Sequence, residues 1–313
     1  MTSTTNDPAI QPTWPHVVTA CRAVGLNAAG AKPVRIADNA IWTLPGAIIV
    51  RITCPCRRAA AHREIITARW LADQAIPAPR PWLPMAVDLP ENRAATFWHQ
   101  LPDHTVGRCK DVATLLRQLH RLPAPGHLPF LVNPAREARA RLEADQRSVI
   151  IPITDMTWLT SYADDLADAW DSLEDGVAHT PVHGDAWAGN VARTADGQAY
   201  LLDLDSVAVG PPEWDLTSTA VKVSTTGTLS LVEYEQFVSA YGGYDVRTYD
   251  GFEVMRRVRE LLMTTFAIQT AADHPHTTDE ARHRIACLRG LNGQRPWTWT
   301  AVPHPPGIPS PVV

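Results

Sequence analysis

The sequence predicts an α+β protein in two parts, a small sheet-plus-helix amino-terminal lobe over residues 1–100 and a mostly helical carboxyl-terminal lobe over 101–313. Three observations predict it. The first hundred residues hold short apolar runs separated by turn residues, with one long helix-period segment among them. After Leu101-Pro102 the apolar residues recur almost throughout at helical spacing. The chain has 313 residues, 45% of them apolar and 19% charged, enough to bury the cores of two modest lobes.

In order along the chain, residues 14–24 read as a helix, with Thr13 at its cap position and Gly25 ending it. Strands are predicted at 33–37, 40–44 and 47–52, the last two joined across Pro45-Gly46 at hairpin spacing. A helix of about five turns follows at 57–74, where Ile65, Ile66, Arg69, Trp70 and Leu71 share helical spacing. IPAPRPWLP breaks it, and 94–100 returns to a strand pattern. Helices are predicted at 109–120, 134–149, 157–175, 213–223, 229–241, 248–271 and 278–290, interrupted at 179–205 by short β runs around polar clusters.

Composition narrows the function classes. The longest apolar runs fall well short of the roughly 20 residues that cross a bilayer, and the polar start MTSTTNDPAIQP has no apolar signal region. A net charge of −5 argues against a nucleic-acid partner. Five cysteines, at 21, 54, 56, 109 and 287, do not form a secreted disulfide framework, and a reduced cytoplasmic protein is expected. Cys54 and Cys56 near His62 lack a second ligand pair for metal. Of 28 basic residues only Lys32, Lys110 and Lys222 are lysines, and no G-x-x-x-x-G-K-[ST] loop occurs. Arginine-rich codon usage is the plain reading of that bias.

The chemistry-bearing stretch is Val182-His183-Gly184-Asp185-Ala186-Trp187-Ala188-Gly189-Asn190, followed by Leu201-Leu202-Asp203-Leu204-Asp205. Asp185 follows a glycine in a loop, Asn190 offers an amide oxygen five residues on, and Asp203 ends an apolar run as if at a strand tip. A carboxylate to accept a proton, with an amide oxygen and a carboxylate to hold Mg²⁺, is the set that phosphoryl transfer needs.

H-G-D-x-x-x-x-N followed by the apolar pair and Asp203, and then Gly210-Pro211-Pro212-Glu213-Trp214-Asp215-Leu216, resembles the aminoglycoside phosphotransferase and choline kinase family, relatives of the protein kinases. The resemblance runs over roughly 31–290 and is sharpest at 182–216. It implies a bilobal protein-kinase-like fold, with a nucleotide-binding amino-terminal lobe and a catalytic and substrate-binding carboxyl-terminal lobe. It implies transfer of the γ-phosphate of ATP or GTP to a hydroxyl of a small molecule, such as an aminoglycoside or other antibiotic, a sugar or an amino alcohol. By the resemblance Asp185 is the catalytic base, with His183 either a second catalytic group or a structural one, and Asn190 and Asp203 are the Mg²⁺ ligands. Asp215 anchors a loop or a helix start. Asp205 and Trp187 are placed toward substrate or metal.

The third strand of such kinases carries a lysine that clamps phosphates. Here that position is Arg51, with Glu64 on the next helix as its partner. The turn Ala37-Asp38-Asn39-Ala40 has no glycine, and Asn39 is the residue expected near phosphates. Backbone groups of Trp98, Gln100 and Leu101 are expected at the purine edge, and Ile36, Ile49 and Leu202 at its faces. The helix ending Leu119-His120 resembles a family segment but is explained by core packing. Acidic residues Asp164, Asp165, Asp168, Asp171, Glu174, Asp175, Glu253 and Glu260 would draw a polycationic acceptor if they line a cleft, although 164–175 reads equally as a solvated helix face. Trp297 and Trp299 could offer stacking surface, but packing is the commoner role of such residues. A nucleotide-binding pseudokinase without turnover, and a protein kinase, are the alternatives.

Overall fold

The computed structural model describes residues 13–36, 39–144, 150–173, 176 and 178–302. The described residues divide into two compact units: those through Leu115 together with Ala188–Val207, and Leu116–Trp187 together with 208–302.

The first unit is built on an antiparallel sheet in the order β1-β2-β3-β5-β4, from β1 (Lys32–Ile36), β2 (Asn39–Leu44), β3 (Ile48–Thr53), β4 (Val87–Leu89) and β5 (Arg93–His99). The centre of the sheet is nearly all apolar. In β3 every residue but Arg51 is buried, the pattern of a strand covered on both faces. Leu44 pairs with Ile48 across Pro45-Gly46-Ala47, where Gly46 has φ +87° and Ala47 φ +57°. Helix α1 (Trp14–Ala23) adds Val17, Ala20 and Cys21 to a core of Trp42, Val50, Ile52 and Phe97. Thr13 occupies the cap position, but its side chain makes no capping bond. Gly25, at φ +73°, lets Leu26 N–H reach back to Cys21 O at 2.8 Å and stops the helix.

Cys54-Pro55-Cys56 leads into a 3₁₀ turn, Pro55–Arg57, that sets the start of α2 (Arg58–Asp73). Helix α2 buries Ala61, Ile65, Ala68 and Leu71, and packs on β5 and on a 3₁₀ turn at Leu204–Ser206. A second sheet, β6-β8-β9, joins β6 (His104–Val106), β8 (Val191–Thr194) and β9 (Ala199–Leu201). Neither β4 nor β6 was expected: each has three residues, too few to show alternation. Gly107 is required beside β8, because a Cβ there would lie 2.5 Å from Val191 Cγ1. Helix α3 (Cys109–Leu119) closes this stretch.

The second unit gathers α4 (Pro134–Ala144), α5 (Ile153–Asp171), α6 (Pro212–Ser224), α7 (Leu231–Tyr241), α8 (Phe252–Asp273) and α9 (Thr278–Leu288). Helix α8 is its axis, packing on α4, α5, α6 and α9. Met255, Val258, Leu261 and Ile268 of α8 meet Leu159, Ala163 and Leu166 of α5, Trp214 of α6 and Ile285 of α9. Truncating one of these to alanine would cost about 2–5 kcal/mol. Helix α5 starts four residues earlier than the periodicity predicts, directly after Pro152. Residues 145–149, and Glu174 and Asp175, lie outside the described residues. Helix α7 begins with a capping box, Ser230 with Glu233, a device stabilising by about 1 kcal/mol. A short antiparallel pair, β7 (Thr180–Val182) with β10 (Ala208–Gly210), was foreseen only in its first strand.

The segment after α9 is docked, not free. Arg295 donates to both oxygens of Glu260 at 2.7 Å, and Trp297 N–H donates to Thr225 O at 2.6 Å. Trp297 and Trp299 stack on each other, are buried, and face Arg295 and Arg284. They are packing residues, the commoner of the two roles the sequence allows, because their faces are already covered. Among the described residues no helix is long and apolar enough to cross a membrane.

Candidate active site

In the first unit Arg51 is the hub. Its Nη1 donates to Glu64 Oε1 at 2.7 Å, and Nη2 lies 3.5 Å from Asp203 Oδ1 and 3.9 Å from Asp205 Oδ2. With its amide turned to suit the arginine, the Asn39 side-chain oxygen accepts from Nη2 at 2.7 Å and from Nε at 3.1 Å. Strand β3 presents Arg51 and α2 presents Glu64 one turn and a half in, so strand and helix are stitched by a buried ion pair. Burial pushes the Glu64 carboxyl up to about 7, against the pull of Arg51. Burial pulls the guanidinium down, but Glu64, Asp203 and Asp205 outweigh it and hold it above its usual value. The proton of the pair stays on the arginine. Breaking such a pair by removing one partner costs about 3–5 kcal/mol.

Asp203 does not sit at a strand tip. Strand β9 ends at Leu201, and Asp203 adopts the left-handed conformation, φ +56° and ψ +64°, before the turn at Leu204–Ser206. A non-glycine residue held there is strained by about 1–2 kcal/mol, and its side chain remains 44% exposed. Leu202 N–H donates to Asn190 O at 2.9 Å, tying the backbones that carry Asn190 and Asp203. One carboxylate and one amide, both hard oxygen donors, suit a small divalent cation that takes its remaining ligands from phosphate and water. Asp205 is different. It is nearly buried and ion-paired with Arg57, a residue of the 3₁₀ turn that sequence reasoning passed over.

At the expected purine edge, His99 N–H donates to Arg80 O and Gln100 N–H to Ala47 O, both at 2.9 Å. The Trp98 side chain is buried, its Nε1 donating to Thr96 at 2.8 Å. Leu101 packs with Ala192, Leu202 and Tyr200, and Ile49 is buried in the sheet.

In the second unit the loop after β7 carries His183, Gly184 and Asp185. Asp215, fully buried on α6, accepts from His183 N–H at 2.6 Å and from Gly184 N–H at 2.8 Å. His120 Nε2 lies 3.0 Å from the same carboxylate, and its Nδ1 lies 2.8 Å from Tyr241 Oη. With Nε2–H donating to Asp215, Nδ1 accepts from the tyrosine hydroxyl. Burial pushes the Asp215 carboxyl up, but His120 and the His183 backbone N–H more than reverse this and hold it below its usual value. Packing alone therefore does not account for His120. Gly184, at φ +86°, makes the turn. His183 is buried, with Asp185 N–H 3.4 Å from its Nδ1. The Asp185 side chain is 52% exposed, and Arg259 Nη1 on α8 lies 3.4 Å from its Oδ1. Arg259 was invisible in the sequence, 74 residues away with no motif around it. Lys222 Nζ stands 5.1 Å over the Trp187 ring.

The acidic residues expected to draw a polycation are largely engaged. Asp164 pairs with Arg139, Asp171 with Arg136, Glu253 with Arg256 and Arg257, and Glu260 with Arg256 and Arg295.

A family model described as the phosphotransferase enzyme family, APH, matches residues 37–261. The chain belongs to this family. It is a phosphotransferase with an alcohol group as acceptor, on a protein-kinase-like α+β fold. No curated protein matches it. Among solved structures it is similar to a choline/ethanolamine kinase family protein from Mesorhizobium loti, at 17% identity and TM-score 0.61 over 90% of this chain and 94% of that one. It is similar to an aminoglycoside phosphotransferase from Streptomyces rimosus, at 21% identity and TM-score 0.55 over 78% and 97%. An amicoumacin kinase in complex with AMP-PNP and Ca²⁺ matches at 14% identity and TM-score 0.62 over 88% and 94%. At these identities the likeness is one of fold.

Proposed function

We propose that this phosphotransferase moves the γ-phosphoryl group of ATP or GTP to a hydroxyl of a small molecule, with Mg²⁺, and that Asp185 is the base. The observation that carries the reading is the state of Asp185: a half-exposed carboxylate on a loop whose preceding two N–H groups are fixed by a buried aspartate. Such a group is both pre-oriented and open to an incoming hydroxyl. Asp185 takes the proton of the acceptor hydroxyl as the oxygen attacks the γ-phosphorus and the bond to the nucleoside diphosphate breaks. His183, buried behind the loop, supports its shape. Arg51, kept in place by Glu64 and Asn39, turns a guanidinium toward phosphate charge. Asn190 and Asp203 would hold Mg²⁺, which when bound neutralises charge on the transferring phosphoryl group. Of the expected purine-edge groups the N–H of Leu101 is the one we assign, since that of Gln100 is already bonded to Ala47 O in the β2–β3 turn.

The family fold is shared with a choline/ethanolamine kinase family protein, an aminoglycoside phosphotransferase and an amicoumacin kinase. The arginine pairing of Asp164, Asp171, Glu253 and Glu260 favours acceptors of low positive charge, such as sugars and amino alcohols, over polycations. The test is a nucleotide-consumption screen with Mg²⁺ across antibiotics, sugars and amino alcohols, with mass spectrometry of the product. Turnover is expected, and Asp185→Asn should lower kcat by about 10²–10⁴-fold. Nucleotide binding by calorimetry with no consumption across the panel would instead establish a pseudokinase. Asp203→Asn should raise the Mg²⁺ concentration for half-maximal rate by at least about tenfold. An unchanged Mg²⁺ titration would remove Asp203 from the metal site.

A further inference from the structure

We infer that Arg259 of α8 is a positioning residue for the Asp185 carboxylate and its loop; this rests on Asp185 being the base. The guanidinium is almost fully buried and lies flat on the Trp214 indole, 3.7 Å from the ring centroid. Its fork reaches three oxygens of the loop and its anchor. Nη1 is 3.4 Å from Asp185 Oδ1, and Nη2 is 3.4 Å from Gly184 O and from Trp214 O. Trp214 Nε1–H also donates to Gly184 O, at 3.0 Å. Trp214 and Arg259 thus hold the Gly184 carbonyl from one side while Asp215 holds the Gly184 N–H.

The arrangement is a poor one for stability. All three contacts are long, Nε is buried without a partner, and burial pulls the guanidinium below its usual pKa although Asp185, Asp215 and Glu137 act the other way. Buried charges so weakly compensated do not stabilise a fold. They suit a group that bonds more tightly at another point of the reaction cycle, since catalytic hydrogen bonds are commonly long in the unliganded enzyme. The contact ties Asp185 Oδ1 to a side chain that is itself buried against Trp214. A lysine cannot replace the fork, because one ammonium cannot serve Asp185 and both carbonyls in that planar geometry.

The experiment compares Arg259→Ala and Arg259→Lys with the parent, in kcat, acceptor KM and nucleotide affinity by calorimetry, with and without added methylguanidinium. Arg259→Ala is expected to lose about 30- to 100-fold in kcat, keep nucleotide affinity within about twofold, and recover rate with methylguanidinium in a saturable way. Arg259→Lys should fall between. The inference is overturned by a kcat within about threefold of the parent, or by a rise in acceptor KM at constant kcat, which marks a substrate contact. It is equally overturned if kcat and nucleotide affinity fall together without rescue, as a purely structural role predicts. Failure of the base assignment looks different: Asp185→Asn at the parental rate overturns that assignment and the positioning role together.

Discussion

Arg51 and Arg259 are both buried arginines beside an aspartate of the candidate chemistry, and they are held in opposite ways. Arg51 is saturated: Glu64 at 2.7 Å, Asn39 at 2.7 and 3.1 Å, and Asp203 and Asp205 within 4 Å. Arg259 rests on an indole with three contacts at 3.4 Å and an unpaired Nε. The first region is a set of charges fixed by one another; on the proposed reading they would meet phosphate without reorganising. The second region fixes the backbone of its loop through Asp215 and holds its arginine by long contacts.

The contrast breaks most visibly at Asp215. Asp215→Asn keeps the shape but removes the charge that holds His120 and one acceptor for the loop N–H groups. It should cost about 3–5 kcal/mol in denaturant unfolding and lower kcat by about 10- to 100-fold. An intact kcat in a destabilised variant would show that the loop does not depend on its anchor. The same variant fixes the sign of a pH effect. Because the folded carboxyl lies below its ordinary 3.8, its stabilisation is complete above that value and is lost as pH falls through the lower folded one. The stability gap between parent and variant should therefore be constant above about pH 5 and shrink below about pH 4.

A smaller effect is expected at Arg51. Arg51→Lys keeps the charge but frees Asn39 and shortens the reach to Asp203 and Asp205. Nucleotide KM or kcat should change by about three- to tenfold, about 0.7–1.4 kcal/mol, with the Mg²⁺ titration unchanged. Identical kinetics would return Arg51 to the general arginine bias of the chain. The smallest effect is at the β2–β3 turn. Ala47→Gly relieves a left-handed alanine and should raise the unfolding free energy by about 0.5–1 kcal/mol, with no change in kinetics.

The fold was legible wherever elements were long. Helix α2, the hairpin β2–β3 and the helices from α4 to α9 all follow from apolar period, because each buries a face of several turns or residues. Strands β6 and β10 follow from pairing with distant partners, and β4 from a tight hairpin with β5; at three residues each they leave no clear local trace. In the site, the contact of Arg51 with Glu64 followed from the family resemblance, which implies a glutamate on the helix after the third strand, and so did the anchoring position of Asp215. Asp203 was misread as a strand tip, because nothing in Leu201-Leu202-Asp203 announces a left-handed residue. Packing was a sufficient reason for His120 in the sequence, and its bond to Asp215, 95 residues away, was not visible. Arg57 and Arg259 are two among 25 arginines, and abundance hid them.

The docked segment after α9 has a consequence for enzymology at a distance. Glu260 neighbours Arg259 on α8 and is fully buried, with Arg256, Arg295 and Thr225 all directed at it. Trimming the chain before Arg295 takes away a bidentate partner and uncovers the helix turn that also carries the cation behind Asp185. A tail lesion would thus surface as a slow enzyme whose catalytic loop is chemically untouched. Proteolytic nicking near Gly293 would produce the same mixed phenotype in an otherwise full-length preparation.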